Sequence, residues 1–221
     1  MRRLGCLGFV VVLLVGLGGL LDVFARGYSE GEIAAAVEHR SGGRVGAATV
    51  SISSFPFVGR LVGSGDVDHL DIDLHELHIT QPVDAVEVHI DGLHMDRDAL
   101  LGESHIEIKS IERVSVAVRI SARRIQALAD QIGVSLRFED GAVLLAGQRL
   151  EVSAANGLLT VAGGPIPPLS VPIPAGDADV LPCQPGVAVD RAGIRLSCTS
   201  DHIPKLLLDA IGSPALRNLS R

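Results

Sequence analysis

Apolar and polar residues alternate along much of the chain after residue 45, and a period of two is typical of strands with one buried face. The phase of the alternation slips near His75-Glu76, which indicates a bulge or a turn. Asp91-Gly92 ends a later alternating segment and predicts a hairpin there. Residues 104–120 are long for one strand, so they form either a single curved strand or two strands that break near Ser110.

Two segments have helical periodicity. Residues 29–32 have the S-x-x-E form of a capping box, and the short helix that they begin ends at Gly42-Gly43. Ser121 begins a second amphipathic helix. Strands arranged around one or two helices without a βαβ order predict an α+β fold with antiparallel pairing. The apolar face of the second helix is formed by Ile125, Leu128, Ala129 and Ile132.

The last third of the chain contains short alternating segments and a proline-rich stretch. Five prolines within residues 164–176 predict an extended linker or a strand strapped along a sheet edge. Strands are expected at residues 187–189 and 194–198, followed by a helical turn at 206–211.

An apolar elbow lies between the first strand and the acidic strands that follow it. Phe55 and Phe57 flank Pro56, which cannot donate to a sheet ladder and therefore ends the strand or places it at an edge. Leu61 and Val62 follow at helical spacing. The chain has only five Phe, one Tyr and no Trp, so two aromatic residues in one short segment are unusual. We expect the elbow to project both rings.

The N-terminus has the features of an export signal. Arg2-Arg3 precedes an uncharged run from residue 4 to residue 21, which is at the lower limit for a membrane-spanning helix and longer than a usual signal-peptide core. Small residues permit cleavage after Ala25. Residues 1–25 are therefore a signal peptide or a retained membrane anchor, and residues 26–221 form a single domain outside the cytoplasm.

Composition limits the partners of this domain. The chain is 47% hydrophobic but only 3% aromatic, and its formal net charge is −7. An acidic body is not attracted to nucleic acid or to an anionic membrane by its overall field. Membrane contact therefore has to be local and apolar.

Cys183 and Cys198 are the only cysteines after residue 25. In an oxidising compartment such a pair predicts a disulfide, and two free buried thiols are the alternative.

The histidines and aspartates form no recognisable metal motif. His75 and His78 would face opposite sides of a strand, and His89, His94 and His105 could converge only by accident of register. The aspartates between residues 66 and 73 lack the glycine and the distal glutamate of calcium loops. We therefore expect solvent-facing histidines, no bound metal and no other cofactor.

Catalytic motifs are likewise not recognisable, so no catalytic residue is predicted and the protein is not expected to be an enzyme. Arg60 lies beside the elbow and is either a phosphate-headgroup contact or a solvated side chain. The aliphatic sheet face is either an ordinary core or the wall of a groove for acyl chains. Two other functions stay open: an envelope hydrolase or transferase with an unmarked site, and a membrane-tethered scaffold protein.

The block around the elbow resembles the LmeA-like family of actinobacterial cell-envelope phospholipid-binding proteins. The resemblance implies a long twisted sheet wrapped around one or two helices, similar to tubular lipid-binding domains. It also implies binding of phospholipids, inositol phospholipids among them, and a role in lipomannan or lipoarabinomannan maturation. The matching residues are Val50, Ile52, Phe55, Pro56, Phe57, Leu61 and Gly63.

On this basis we expect a non-enzymatic phospholipid-binding protein in the periplasm or cell envelope, which contacts the plasma membrane and whose protein partner is unknown. The acyl chains would contact the sheet and the second helix through Ile125, Leu128 and Ile132. The elbow would guard the mouth of the groove or insert into the membrane through Phe55, Pro56, Phe57, Leu61 and Val62.

Overall fold

The computed structural model describes residues 2–78, 83–99, 107–163, 167–173 and 180–204. Within these ranges the chain forms three helices and eleven strands. The elements are α1 (Arg2–Arg40), β1 (Val45–Ile52), α2 (Phe57–Gly63), β2 (Asp66–Leu77), β3 (Ala85–Met95), β4 (Ile108–Ser121), α3 (Ala122–Asp130), β5 (Leu136–Glu139), β6 (Ala142–Leu145), β7 (Gln148–Ala155), β8 (Leu158–Ala162), β9 (Leu169–Pro172), β10 (Gly186–Asp190) and β11 (Gly193–Ser200).

The strands form two antiparallel sheets, which confirms the predicted α+β class. Six strands have the order β1-β2-β3-β4-β11-β10, and five have the order β5-β6-β7-β8-β9. Apolar residues of both sheets and of all three helices belong to one continuous core. The expected helical turn at 206–211 lies outside the described residues.

Register explains why one face of the six-stranded sheet is buried. Every second residue of a strand faces the same side, and the pairing aligns these residues into rows that cross the sheet. One such row is Val50, Ile72, Val88, Val116 and Cys198, each of which pairs with the next. The whole row is buried, so the alternation visible in the sequence reports the inner face directly.

The predicted hairpin at Asp91-Gly92 is wrong, because β3 continues through both residues to Met95. Asp91 pairs with His69 of β2 on one side and with Arg113 of β4 on the other. Pairing on both sides outweighs the local turn preference of the Asp-Gly sequence. Of the two alternatives for the long alternating segment, the single strand is correct, because β4 runs without a break through Ser110.

Three other expectations are borne out. Glu76 has a φ of +53° where the alternation slips, and the strand β2 ends one residue later. Residues 169–172 of the proline-rich stretch form β9, which pairs with β8 at the edge of the five-stranded sheet. The disulfide between Cys183 and Cys198 is formed, with the two Cα atoms 5.9 Å apart.

The expected short first helix is part of one continuous helix of 39 residues, α1. Ser29 does not cap it: the Ser29 hydroxyl donates to the Ala25 carbonyl within the helix. The uncharged run already forms helix upstream of Ser29, so no new start is needed there. The predicted end is correct, since Gly42 and Gly43 take left-handed φ values of +64° and +79° after the helix.

Acidic side chains of α1 satisfy backbone amides on the outer edge of the six-stranded sheet. The Glu38 carboxylate accepts from the Ala48 amide at 2.8 Å, and the Glu30 carboxylate accepts from the Ile52 amide at 2.7 Å. Because β1 is the edge strand, these amides have no neighbouring strand to bond. The helix therefore lies along the edge and closes it.

We predict that Glu30→Ala lowers the free energy of unfolding by about 1.5 kcal/mol, because the Ile52 amide loses a charged acceptor. Urea denaturation can measure this in a chain that begins at residue 18. Glu32→Ala, at an exposed position of the same helix, is the matched control. Equal destabilisation by the two substitutions would contradict the edge contact.

Candidate functional site

An apolar cavity of about 230 Å³ lies between α1, α2 and the inner face of the six-stranded sheet. The sheet contributes Leu70 and Ile72 from β2 and Leu93 from β3, and α1 contributes Ile33. Tyr28, Ser29 and Glu32 of α1 also line it, and the Tyr28 side chain is 72% exposed. The cavity thus has an apolar interior and a solvent-accessible rim on the side of α1.

The helix α2 is fixed over the cavity at both of its ends. Asp22 of α1 is buried, and its carboxylate accepts from the Val58 amide in the first turn of α2 at 2.8 Å. After the helix, the Gly65 carbonyl accepts from the Met95 amide at 2.9 Å. Gly65 has a φ of +81°, and a Cβ there would lie 2.3 Å from the Met95 carbonyl oxygen. Only glycine permits this close approach of the two chains.

The predicted elbow residues divide between the cavity and the surface. Phe57 is 3% exposed and Leu61 is partly buried, and both line the cavity. Phe55 is 75% exposed. Pro56 is the residue that precedes α2, and Val62 lies on the outer side of the helix. The two aromatic rings therefore point to opposite environments.

Exposed apolar side chains surround this end of the molecule. The hydrogen bond between Asp22 and Val58 places the middle of α1 beside α2. Exposed large apolar residues occur on both helices and on the elbow: Leu20, Leu21, Val23, Phe24, Tyr28, Phe55, Val58 and Val62. Such a group of side chains on one end of a protein is typical of a membrane or partner contact.

The second predicted helix does not contribute to the cavity. Among the described residues that line it, none belongs to α3. Ile125 is fully buried and Leu128 is partly buried in the core. Ile132 was expected on the helix, but α3 ends at Asp130 and Ile132 is 47% exposed. The helix contacts β4, β11 and β5, so it covers the junction of the two sheets. Its amphipathic pattern identified a buried face correctly but could not identify what covers that face.

Arg60 of α2 is already paired. Its Nη2 atom lies 2.5 Å from Asp68 Oδ1, and the side chain is partly exposed. Its Nε atom, like that of Arg26 on α1, is buried and finds no hydrogen-bond acceptor among the described residues. Arg26 is nevertheless in an ion pair, because its Nε atom lies 3.8 Å from Glu30 Oε1.

Sequence reasoning missed the contribution of α1 to the cavity. The short helix that ends at Gly42-Gly43 was predicted, but its pattern did not indicate what its apolar face packs against. Leu93 and Met95 were missed because Asp91-Gly92 was expected to end their strand. The available signal was the continuing alternation of Ile90 and Leu93 about the Asp-Gly pair, with a one-residue slip.

The histidines of β2 and β3 lie on the outer, solvent-facing side of the sheet, and register pairs three of them, His69, His89 and His94, with aspartates. His94 Nδ1 lies 2.6 Å from Asp66 Oδ1. Hydrogen bonds from the Ser64 hydroxyl and from His94 lower the pKa of Asp66 below its usual value. His69 and His89 form further pairs, described below. His105 lies outside the described residues.

An apolar cavity that opens beside exposed apolar side chains is suited to an apolar ligand taken up at a membrane or partner surface. The chain belongs to the LmeA-like phospholipid-binding family, whose match covers residues 20–210. The comparisons with curated proteins and with solved structures gave no significant match. Over the residues that the structure describes, no helix has both the length and the apolar character needed to cross a membrane.

We predict that Gly65→Ala lowers the free energy of unfolding by about 2 kcal/mol or more, because a left-handed φ and a clash with Met95 both oppose the side chain. Gly63→Ala is the matched control, since a Cβ at Gly63 meets no atom within 4 Å. The control should be neutral or stabilising by up to about 1 kcal/mol. Chemical denaturation measures the free energy of unfolding of both variants. Equal effects of the two substitutions would contradict the conclusion that the contact between Gly65 and Met95 fixes the end of α2.

Proposed function

We propose that this protein is a non-enzymatic phospholipid-binding protein of the cell envelope, which holds part of an acyl chain in the cavity between α1, α2 and the sheet. The observation that carries the proposal is the apolar cavity lined by Ile33, Phe57, Leu61, Leu70 and Leu93. Membership of a phospholipid-binding family supports it.

The size of the cavity limits what it holds. Its volume of about 230 Å³ exceeds the roughly 150 Å³ that accommodates benzene in an engineered apolar cavity. It lies below the roughly 300–1,000 Å³ of sites that enclose a drug-sized ligand. One segment of an acyl chain therefore fits inside, and the headgroup stays at the rim.

Arg60 is the proposed headgroup contact, together with Arg26 across the α1–α2 contact. A guanidinium group is a fork of donors that suits a phosphate, and the side chains of both residues are partly exposed although each is paired with a carboxylate. The ion pair with Asp68 holds Arg60 in place and reduces its net attraction for an anion. Inositol phospholipids, lipid transfer and a role in lipomannan or lipoarabinomannan maturation are proposals that rest on the family resemblance alone.

The exposed apolar side chains around Phe55 are the proposed membrane contact. An acidic chain with a net charge of −7 gains nothing from long-range attraction to an anionic bilayer. Burial of a few apolar side chains supplies the affinity instead, at about 1.5–3 kcal/mol for a large one. Such a contact places the rim of the cavity next to the lipids that it would take up.

Export is supported by the Cys183–Cys198 disulfide, because disulfides persist mainly outside the cytoplasm. We further propose that residues 1–25 stay attached as an anchor. Cleavage after Ala25 would remove Asp22, whose buried carboxylate holds the first turn of α2. It would also remove Ala25 itself, which packs against the core.

Photo-crosslinking tests the location of the lipid. The full chain, in membranes that contain a phospholipid with a diazirine in its acyl chain, should be labelled on peptides around residues 28–33, 57–61 and 93–95. Leu61→Trp should reduce this labelling at least tenfold by filling the cavity. Leu128→Trp, at a partly buried leucine of α3, should leave it unchanged. Labelling confined to α3, or equal labelling in the two variants, would refute the cavity as the lipid site.

The membrane contact has its own test. Phe55→Asp should weaken binding to phosphatidylcholine vesicles about tenfold, because it replaces an exposed apolar side chain with a charge. Co-sedimentation of a chain that begins at residue 18 measures this. Leu158→Asp, at an exposed leucine of the other sheet, should bind as the unmodified chain does. If the membrane contact lay on the other sheet, Leu158→Asp would weaken vesicle binding and Phe55→Asp would not.

A further inference from the structure

The outer face of the six-stranded sheet carries the same tripeptide pattern twice. His69-Leu70-Asp71 lies on β2 and His89-Ile90-Asp91 lies on β3. The antiparallel register pairs His69 with Asp91 and Asp71 with His89. Since residues two apart on a strand face the same side, two imidazoles and two carboxylates form one square patch with an approximate local two-fold symmetry.

The two imidazoles of this patch converge on one oxygen atom of Asp91. His69 Nδ1 lies 2.7 Å from Asp91 Oδ1, and His89 Nε2 lies 2.9 Å from the same oxygen. The two rings stack with centroids 5.7 Å apart. The other ring nitrogen of His89, Nδ1, is hydrogen-bonded to Asp71 Oδ1. The ligand atoms that His69, His89 and Asp91 offer all lie within 4.8 Å of one another.

We propose that His69, His89 and Asp91 bind a Zn²⁺ ion on the outer face of the sheet, and that Asp71 is a positioning residue for His89. Imidazole nitrogens and a carboxylate oxygen are common zinc ligands, and three protein ligands leave a fourth position for water. A carboxylate that accepts from the second nitrogen of a ligating histidine is the usual support of such a ligand. The Asp71–His89 bond supplies this support and directs Nε2 towards the ion.

The geometry needs only a small adjustment to admit the ion. Zinc bonds of about 2.0–2.2 Å place tetrahedral ligand atoms about 3.3 Å apart. The two contacts with Asp91 Oδ1, at 2.7 and 2.9 Å, would widen by about half an ångström. The two imidazole nitrogens, which lie within 4.8 Å of each other, would reach the same spacing by rotation of the half-exposed side chains. The backbone beneath stays fixed because β3 is paired on both sides.

The surrounding charges favour a cation here over an anion. Arg113 is paired with the same aspartate, with Nη1 3.9 Å from Asp91 Oδ2, so it approaches the oxygen that the ion would not use. Arg119 and Arg195 are both paired with Glu87. Among the described histidines of this face, His94 forms a pair with Asp66 alone and offers no second imidazole, so it is not part of the site.

Isothermal titration calorimetry of the full chain, freed of metal by a chelator, tests the proposal with ZnCl₂ as the probe. We expect one ion per chain with micromolar affinity, undiminished by millimolar MgCl₂. His69→Gln and His89→Gln should each weaken binding at least tenfold, and Asp71→Asn should weaken it severalfold or more.

His94→Gln is the matched control and should bind zinc as the unmodified chain does. These side chains are exposed, and thermal denaturation checks that each variant folds. Absence of zinc binding in the unmodified chain overturns the proposal. Equal effects of His89→Gln and His94→Gln overturn it as well, because binding would then be unspecific or located elsewhere.

Discussion

The structure depends on how the open edge of β1 is satisfied. A sheet edge presents backbone amides that need acceptors or water, and α1 supplies carboxylates for two of them through Glu30 and Glu38. A third carboxylate of the same helix, Asp22, fixes the first turn of α2. These polar contacts, together with the burial of Val37 in the core, determine where α1 lies. The helix is held beside the sheet rather than pressed onto its centre, and the apolar cavity occupies the space between them.

Strand β2 serves both sides of the sheet with alternate residues. Leu70 and Ile72 face the cavity. The alternate residues, His69 and Asp71, face solvent and pair with β3. A shift of one residue in the register would exchange the two sets. The cavity wall and the histidine–aspartate patch are thus fixed by the same ladder of backbone hydrogen bonds.

Sequence predicted those parts of the structure that depend on one element alone. The alternation in β2, β3 and β4 identified the buried face because burial acts on each strand separately, and Ser121 caps α3 as expected, accepting from the Arg124 amide. The failures involve competition or distant partners. The Asp91-Gly92 turn lost to pairing on both sides of β3, and the partner of α3 depends on packing that no local pattern encodes. The meeting of His69 with His89 depends on register, which only long-range pairing determines.

The continuous α1 helix also sets a distance. Its uncharged run ends at Leu21, and Tyr28 at the rim of the cavity follows seven residues later, which corresponds to about 10 Å of helix at 1.5 Å per residue. In an anchored chain the helix would act as a rigid spacer that keeps the cavity entrance just above the lipid headgroups. A lipid entering the protein would then move little more than its own headgroup height, because the bonds of Glu30, Glu38 and Asp22 hold the body at a fixed place along the helix.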